Sequence, residues 1–244
     1  MRALNNYLIW ISLLLLIVSF WNRNDFSAEM SLLDVLKDPP RQIEKMNQSP
    51  FEVSFNDVKY EVIPRYDYEL YGLVVSYRHH DGEKRLHAKW NDHLNMMDLC
   101  VIWSDSAFSP YLNELSFSSG EFTCNVETRS NPAWASFKMN QLANNHLLSI
   151  DPKIREQVQQ VQIGDQIYLK GQLAEYGVVG SHKRGTSTSR EDTGNGACET
   201  IYLEEFKILR AAEGGWRQLM YLALLVFVVT LVNYFRMPFR SALR

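Results

Sequence analysis

Residues 152–173 read PKIREQVQQVQIGDQIYLKGQL, and the period of their apolar positions changes partway along. Ile154, Val158 and Val161 recur at i, i+4 and i+7 behind Pro152, which predicts a helix opening on proline. Gly164-Asp165 predicts a turn, after which Ile167 and Leu169 alternate with polar neighbours as a strand does. Gly171 interrupts that alternation, where the chain must bend or admit another backbone closely.

Working outward from this run, a period of two dominates. Phe51, Val53 and Phe55 alternate, Asn56-Asp57 makes a turn pair, and Val58, Tyr60 and Val62 resume the pattern. Residues 66–77 predict a long strand bent at Gly72, and His80-Asp81-Gly82-Glu83 a hairpin turn. Residues 99–103 and 121–126 add strands, Gly-rich residues 177–197 form the longest irregular segment, and Ile201, Leu203 and Phe206 mark a closing strand. The expected fold is mainly β, a single β-rich domain over residues 51–215. Within it, the helix, turn and bent strand of 152–173 resemble the small Greek-key barrels of OB type, in which a Gly-Asp turn introduces a coiled strand. That resemblance implies an OB-like barrel and rests on these residues alone.

Two uncharged apolar stretches flank the domain: YLIWISLLLLIVSFW at 7–21 and LMYLALLVFVVTLVNYF at 219–235. The second reaches bilayer-spanning length, about 17 to 25 residues. The first reads as an uncleaved anchor, because no A-x-A-like site follows it; a cleavable signal peptide is the alternative. Trp216, Tyr221 and Tyr234 suit interfacial positions. The expected division is therefore a transmembrane anchor at 1–21, a juxtamembrane amphipathic segment at 22–50, the β-rich domain, a transmembrane helix at 216–236 and a basic tail at 237–244.

Removing Arg2, Arg217, Arg236, Arg240 and Arg244 from the 25 basic residues leaves 20 against 28 acidic ones, so the segment between the spans carries a net charge of −8. Basic residues beside spans stay on the cytoplasmic side. The lipid bilayer is thus an expected partner, with both termini cytoplasmic and the central domain in the periplasm of a bacterial inner membrane. An acidic domain repels phosphates, which argues against nucleic acid. In an oxidising compartment three cysteines imply one disulfide and one thiol. Cys100 lies in an apolar strand and Cys124 shares a face with Phe122 and Val126, so these two are expected to pair, leaving Cys198.

The sequence holds no G-x-S-x-G, H-E-x-x-H, P-loop or S-x-x-K motif, and no catalytic residue or cofactor follows from it. Three constellations remain. His79, His80, His87 and His93 are candidate metal ligands, although neighbours on a strand point to opposite faces, and no metal site is favoured. Trp90, Asp92 and His93 either hold a long loop through buried polar contacts or line a pocket floored by Trp90 and Trp103. Arg184, Arg190, Asp192, Asn195 and Glu199 offer an anion cradle, which His146 would face, or oxygen ligands for a calcium-like cation. In the plainer reading Arg190 and Asp192 pair to brace the loop.

The order W-x-x-x-L-x-x-x-D-x-C from Trp90 to Cys100, then Asn145-His146-Leu147-Leu148, Gly164-Asp165 and the run from Arg190 to Glu199, resembles a group of membrane-tethered bacterial proteins over residues 66–205. The resemblance implies one co-folded domain and brings no activity with it. The expected function is display of a periplasmic β-domain that binds an envelope or membrane partner or a ligand. The alternatives are a periplasmic enzyme acting on an anionic substrate through residues 184–199 and His146, and a metal-handling module.

Overall fold

A computed structural model describes residues 2–27, 30–44, 49–194, 197–212 and 214–237. In chain order its elements are α1 (Arg2–Trp21), β1 (Arg41–Glu44), β2 (Phe51–Phe55), β3 (Val58–His79), α2 (Arg85–Trp90), β4 (Asn95–Ile102), α3 (Ser104–Ala107), β5 (Ser116–Ser119) and β6 (Cys124–Glu127). They continue with α4 (Asn131–Ser136), β7 (Leu142–Leu148), α5 (Pro152–Gln159), β8 (Gln166–Val178), β9 (Cys198–Arg210) and α6 (Gly215–Arg236). The chain divides into two compact units, one of residues Ser31–Ala212 and one of Met1–Met30 with Glu213–Arg244.

The first unit is built on a large mixed sheet ordered β1-β3-β4-β7-β9-β8, with β2 also on β3 and a second pairing between β8 and β3. The pairs are antiparallel except β7 with β9. Asn56 and Asp57 both adopt positive φ, so the β2–β3 connection is a two-residue hairpin. The strand is longer than its sequence suggests: β3 pairs with β8 from Tyr60 to Leu73 and with β4 from Leu73 to His79. Gly72 sits at that handover, where a Cβ would lie 2.2 Å from a Val101 methyl and 3.0 Å from the Ile102 carbonyl. Gly171 likewise admits β9, since a Cβ there would stand 2.3 Å from the Tyr202 carbonyl oxygen.

Several expectations are corrected. The β unit begins at Ser31 rather than 51, because Arg41–Glu44 pairs with β3 and the Leu33 amide donates to the Gln166 side chain. The amphipathic segment contributes one 3₁₀ turn, Asp34–Lys37, which buries Leu36. His80–Glu83 leads into α2 and a loop rather than straight into a strand. Residues 142–148, all buried, form a central strand that alternation does not reveal, because both of its faces are covered. The helix of 152–159 is as expected; Asp151 caps it by accepting from the Lys153 amide, and Ile154 and Val158 face inward.

Leu99, Val101, Leu147, Leu169, Ile201 and Phe206 are the centre of the core. Each such side chain contributes about 1.5 to 3 kcal/mol when buried. A disulfide joins Cys100 to Cys124 with a Cα–Cα distance of 5.8 Å, tying the β5–β6 hairpin to the sheet, and Cys198 is a free thiol.

In the second unit α1 and α6 are long and apolar enough to cross a membrane. They run antiparallel, with the Arg2 side chain donating to the Met237 carbonyl and Arg217 to that of Arg23. Asn5, Ser12 and Ser19, spaced by seven, are buried in α1, as are Ala223 and Thr230 in α6. Asn5 donates to the Thr230 carbonyl at 3.0 Å, and the serine hydroxyls bond carbonyls of their own helix. Small and weakly polar residues of this kind let helices approach where no water competes. The basic tail from residue 238 onward lies outside the described residues.

Candidate functional site

Asp98 and His146 are direct cross-strand partners on β4 and β7, the two strands buried along their whole length. His146 Nδ1–H donates to Asp98 Oδ1 at 2.5 Å. Asp98 Oδ2 accepts from the Phe122 amide at 2.9 Å, and His80 Nε2 stands 2.9 Å from Oδ1, off the line of a hydrogen bond. Burial by itself would raise the Asp98 pKa, but the hydrogen bond from His146 and the nearness of His80 outweigh it and hold the carboxyl well below the usual range. Burial pushes the His146 pKa down, against the pull of Asp98. Its other nitrogen, Nε2, accepts from Arg184 Nη2 at 3.1 Å. A neutral imidazole with its proton on Nδ1 satisfies both contacts; an imidazolium would turn an N–H toward a guanidinium.

Arg184 reaches this point because the chain after β8 folds back on itself. Its amide and carbonyl bridge to those of Tyr176, and the following residues are fastened to β9 by Thr200, which donates through its hydroxyl to the Gly185 carbonyl and through its amide to Thr186 Oγ1. The guanidinium lies 3.7 Å from the centroid of the Phe122 ring. Phe122 holds φ at +64°, an uncommon conformation for a bulky residue and one whose strain the surroundings must offset. Its ring gathers the cluster: it stacks on Trp90 at 5.5 Å and meets His80, His87 and His146 at 5.8, 5.0 and 5.8 Å. Among the described residues Arg184 Nη1, which is buried, has no hydrogen-bond partner.

A second carboxylate flanks the first. Asp92 Oδ2 accepts from the Tyr176 hydroxyl at 2.8 Å and lies 3.1 Å from His87 Nδ1, while its Oδ1 accepts from the Asn95 amide. Burial opposes its ionisation, yet these donors keep its pKa below the ordinary value. A cavity of about 710 Å³ opens beside this pair, lined by Tyr60, Trp90, Asp92, Tyr176 and Arg184 among others.

The structure brings Trp90, Asp92, His146 and Arg184 together and separates the rest. His93 bonds Asn91 within its own loop, and its amide donates to the Tyr60 hydroxyl. Trp103 belongs to the main core and does not floor the cavity. Arg190 does not pair with Asp192. Instead Arg190 Nη1 donates to Glu199 Oε1 at 2.8 Å, beside Tyr68, and Asp192 accepts from the Ser187 hydroxyl. The reason is register: Glu199 lies opposite Asn145 and Thr200 opposite His146, so Arg190 and Glu199 sit on the other face of the sheet from Asp98. Asn195 lies outside the described residues. Among the described residues no three of His, Cys, Asp or Glu have a metal-holding arrangement, for His79 points away from the cluster that His80 and His87 enter. The residues missed by sequence reading are Asp98, Phe122, Tyr60 and Tyr176; the one signal was Asp98 within an otherwise apolar run.

Comparison with known proteins finds no family model that matches the chain, and no curated protein or solved structure that matches it either.

Proposed function

We propose that this chain is a membrane-anchored binding protein whose β domain stands on the outer side of a bacterial inner membrane and takes an envelope ligand in the cavity at Arg184. The observation that carries the reading is Arg184 itself: oriented by His146 and Phe122, it lines the cavity and keeps a buried amino group without a partner among the described residues. An unmet buried donor costs about 1 to 3 kcal/mol, which an arriving acceptor would recover. The placement outside the membrane draws support from the two apolar helices, the arginines beside them, the acidic middle segment and the disulfide.

We read the sheet as an OB-like barrel on the strength of the return pairing of β8 to β3 and the parallel pair β7–β9. The cavity is then lined by the connections from β3 to β4 and from β8 to β9, loops of the kind through which such barrels bind ligands. An enzyme acting on an anionic substrate is the second reading, favoured by the oriented Asp98–His146 pair.

Two measurements test the proposal. A reporter active only outside the membrane should be active when inserted at Asn56 and silent when fused after Arg244; the reverse would overturn the topology. Native mass spectrometry of the full chain from detergent should show a co-purifying small molecule that Arg184→Met loses. Turnover of that molecule by the wild type would favour the enzyme.

A further inference from the structure

We infer that the cavity selects a carboxylate carrying a single negative charge on a flat apolar body, with Arg184 seating the carboxylate and Trp90 the body. The inference rests on the binding reading above and specifies the ligand's chemistry.

The anionic end follows from the guanidinium. Arg184 Nη2 is committed to His146 Nε2 and one face of the group lies against Phe122, while Nη1 is buried and has no partner among the described residues. Its two N–H bonds suit a carboxylate oxygen pair or a single strong acceptor. The limit of one charge follows from the balance of the lining: Arg184 and Lys89 are cations and Asp92 lines the same cavity as an ionised carboxylate held by Tyr176 and His87, which leaves one positive charge over. A dianion such as a phosphate monoester would exceed that net charge and meet twice the repulsion from Asp92.

The flat body follows from Trp90. Phe122 stacks on the indole at an interplanar angle of 18°, yet 49% of Trp90 remains exposed, so the ring is fixed in orientation with surface still open. Tyr60 and Tyr176 extend the aromatic lining, and both hydroxyls are already engaged, Tyr60 with Asn91 and Tyr176 with Asp92. These two residues therefore leave no free hydroxyl in the cavity wall. Aromatic rings paired in offset or stacked arrangements gain attraction beyond their buried area. A volume of about 710 Å³ falls within the usual span of small-molecule sites, about 300 to 1,000 Å³.

Calorimetry on the full chain in lipid nanodiscs, with empty nanodiscs as the control, tests this with four probes. 2-Naphthylacetate should bind about tenfold or more tightly than neutral 2-naphthylacetamide and than 2-naphthyl phosphate, and acetate should bind more weakly than any of them. Arg184→Met should erase the preference of acid over amide, and Trp90→Ala should weaken the acid and the amide alike. Amide binding equal to that of the acid, or tighter binding of the phosphate, overturns the inference and leaves the cavity a binding site. If no naphthyl probe binds, the cavity reading falls with it. The wild-type comparison decides the matter even if a variant does not fold.

Discussion

The loop between β8 and β9 carries two arginines that end on opposite faces of one strand pair, and their surroundings separate a site from a brace. Arg184 leans on His146 and Phe122 beside a cavity. Arg190 closes on Glu199 and Tyr68 against the face that carries Leu147 and Ile201 into the main core, and it is not among the residues lining that cavity. Both keep guanidinium nitrogens without partners among the described residues. Unmet donors therefore do not define a site by themselves; open volume beside an oriented donor does.

The sharpest test of the Arg184 side is Asp98→Ala, which strands the His146 N–H and the Phe122 amide in a buried setting. Denaturant unfolding of the detergent-solubilised chain should show a loss of about 3 to 5 kcal/mol, as for other broken buried pairs. A loss under about 1 kcal/mol would mean that Asp98 does not organise the cluster.

Replacing both Cys100 and Cys124 by serine should cost about 3 kcal/mol for a loop of this length, their separation being 24 residues. Because Phe122 lies two residues before Cys124, naphthylacetate affinity should fall as well. Unchanged affinity would show that Asp98, and not the disulfide, holds Phe122 in place.

On the Arg190 side the test is pH. Burial raises the Glu199 pKa to about 7 despite the opposing charge of Arg190, from an ordinary value of 4.5. The folded state then holds a proton that the unfolded state releases, so stability falls as pH rises through that window, by about 3 kcal/mol across it. His146, its pKa pushed down by burial, acts in the other direction as pH drops below its ordinary 6.5. Since His146 is common to both proteins, the difference between wild type and Glu199→Gln isolates Glu199. A difference that stays flat from pH 4.5 to 7 would remove Glu199 from the account.

The smallest effect is the most direct comparison. Arg190→Met removes the hydrogen bond from a charged group to Glu199 and should cost about 2 kcal/mol. Arg184→Met loses one hydrogen bond and a cation–π contact, about 1 kcal/mol, together with the preference for an anionic ligand. If Arg190→Met also abolished ligand binding, the division of the loop into site and brace would fail.

What could be read in the sequence was local. Uncharged apolar runs long enough to span, the helix of 152–159, the Asn56-Asp57 hairpin and the bends at Gly72 and Gly171 each follow from hydropathy or backbone freedom over a few residues. Trp90, Asp92, His146 and Arg184 were legible as polar or aromatic groups in unusual places, but nothing local chose between them and Arg190, Asp192 or Glu199. That choice belonged to the tertiary structure. His146 meets Asp98 across 48 residues and Arg184 across 38, and Phe122 enters from a hairpin fixed by its disulfide and a buried carboxylate. Such contacts depend on strand order and on register, where a shift of one residue sends every side chain to the other face. Composition and periodicity record which residues are buried; only the pairing of β4, β7 and β9 decides which of the buried polar groups share a face.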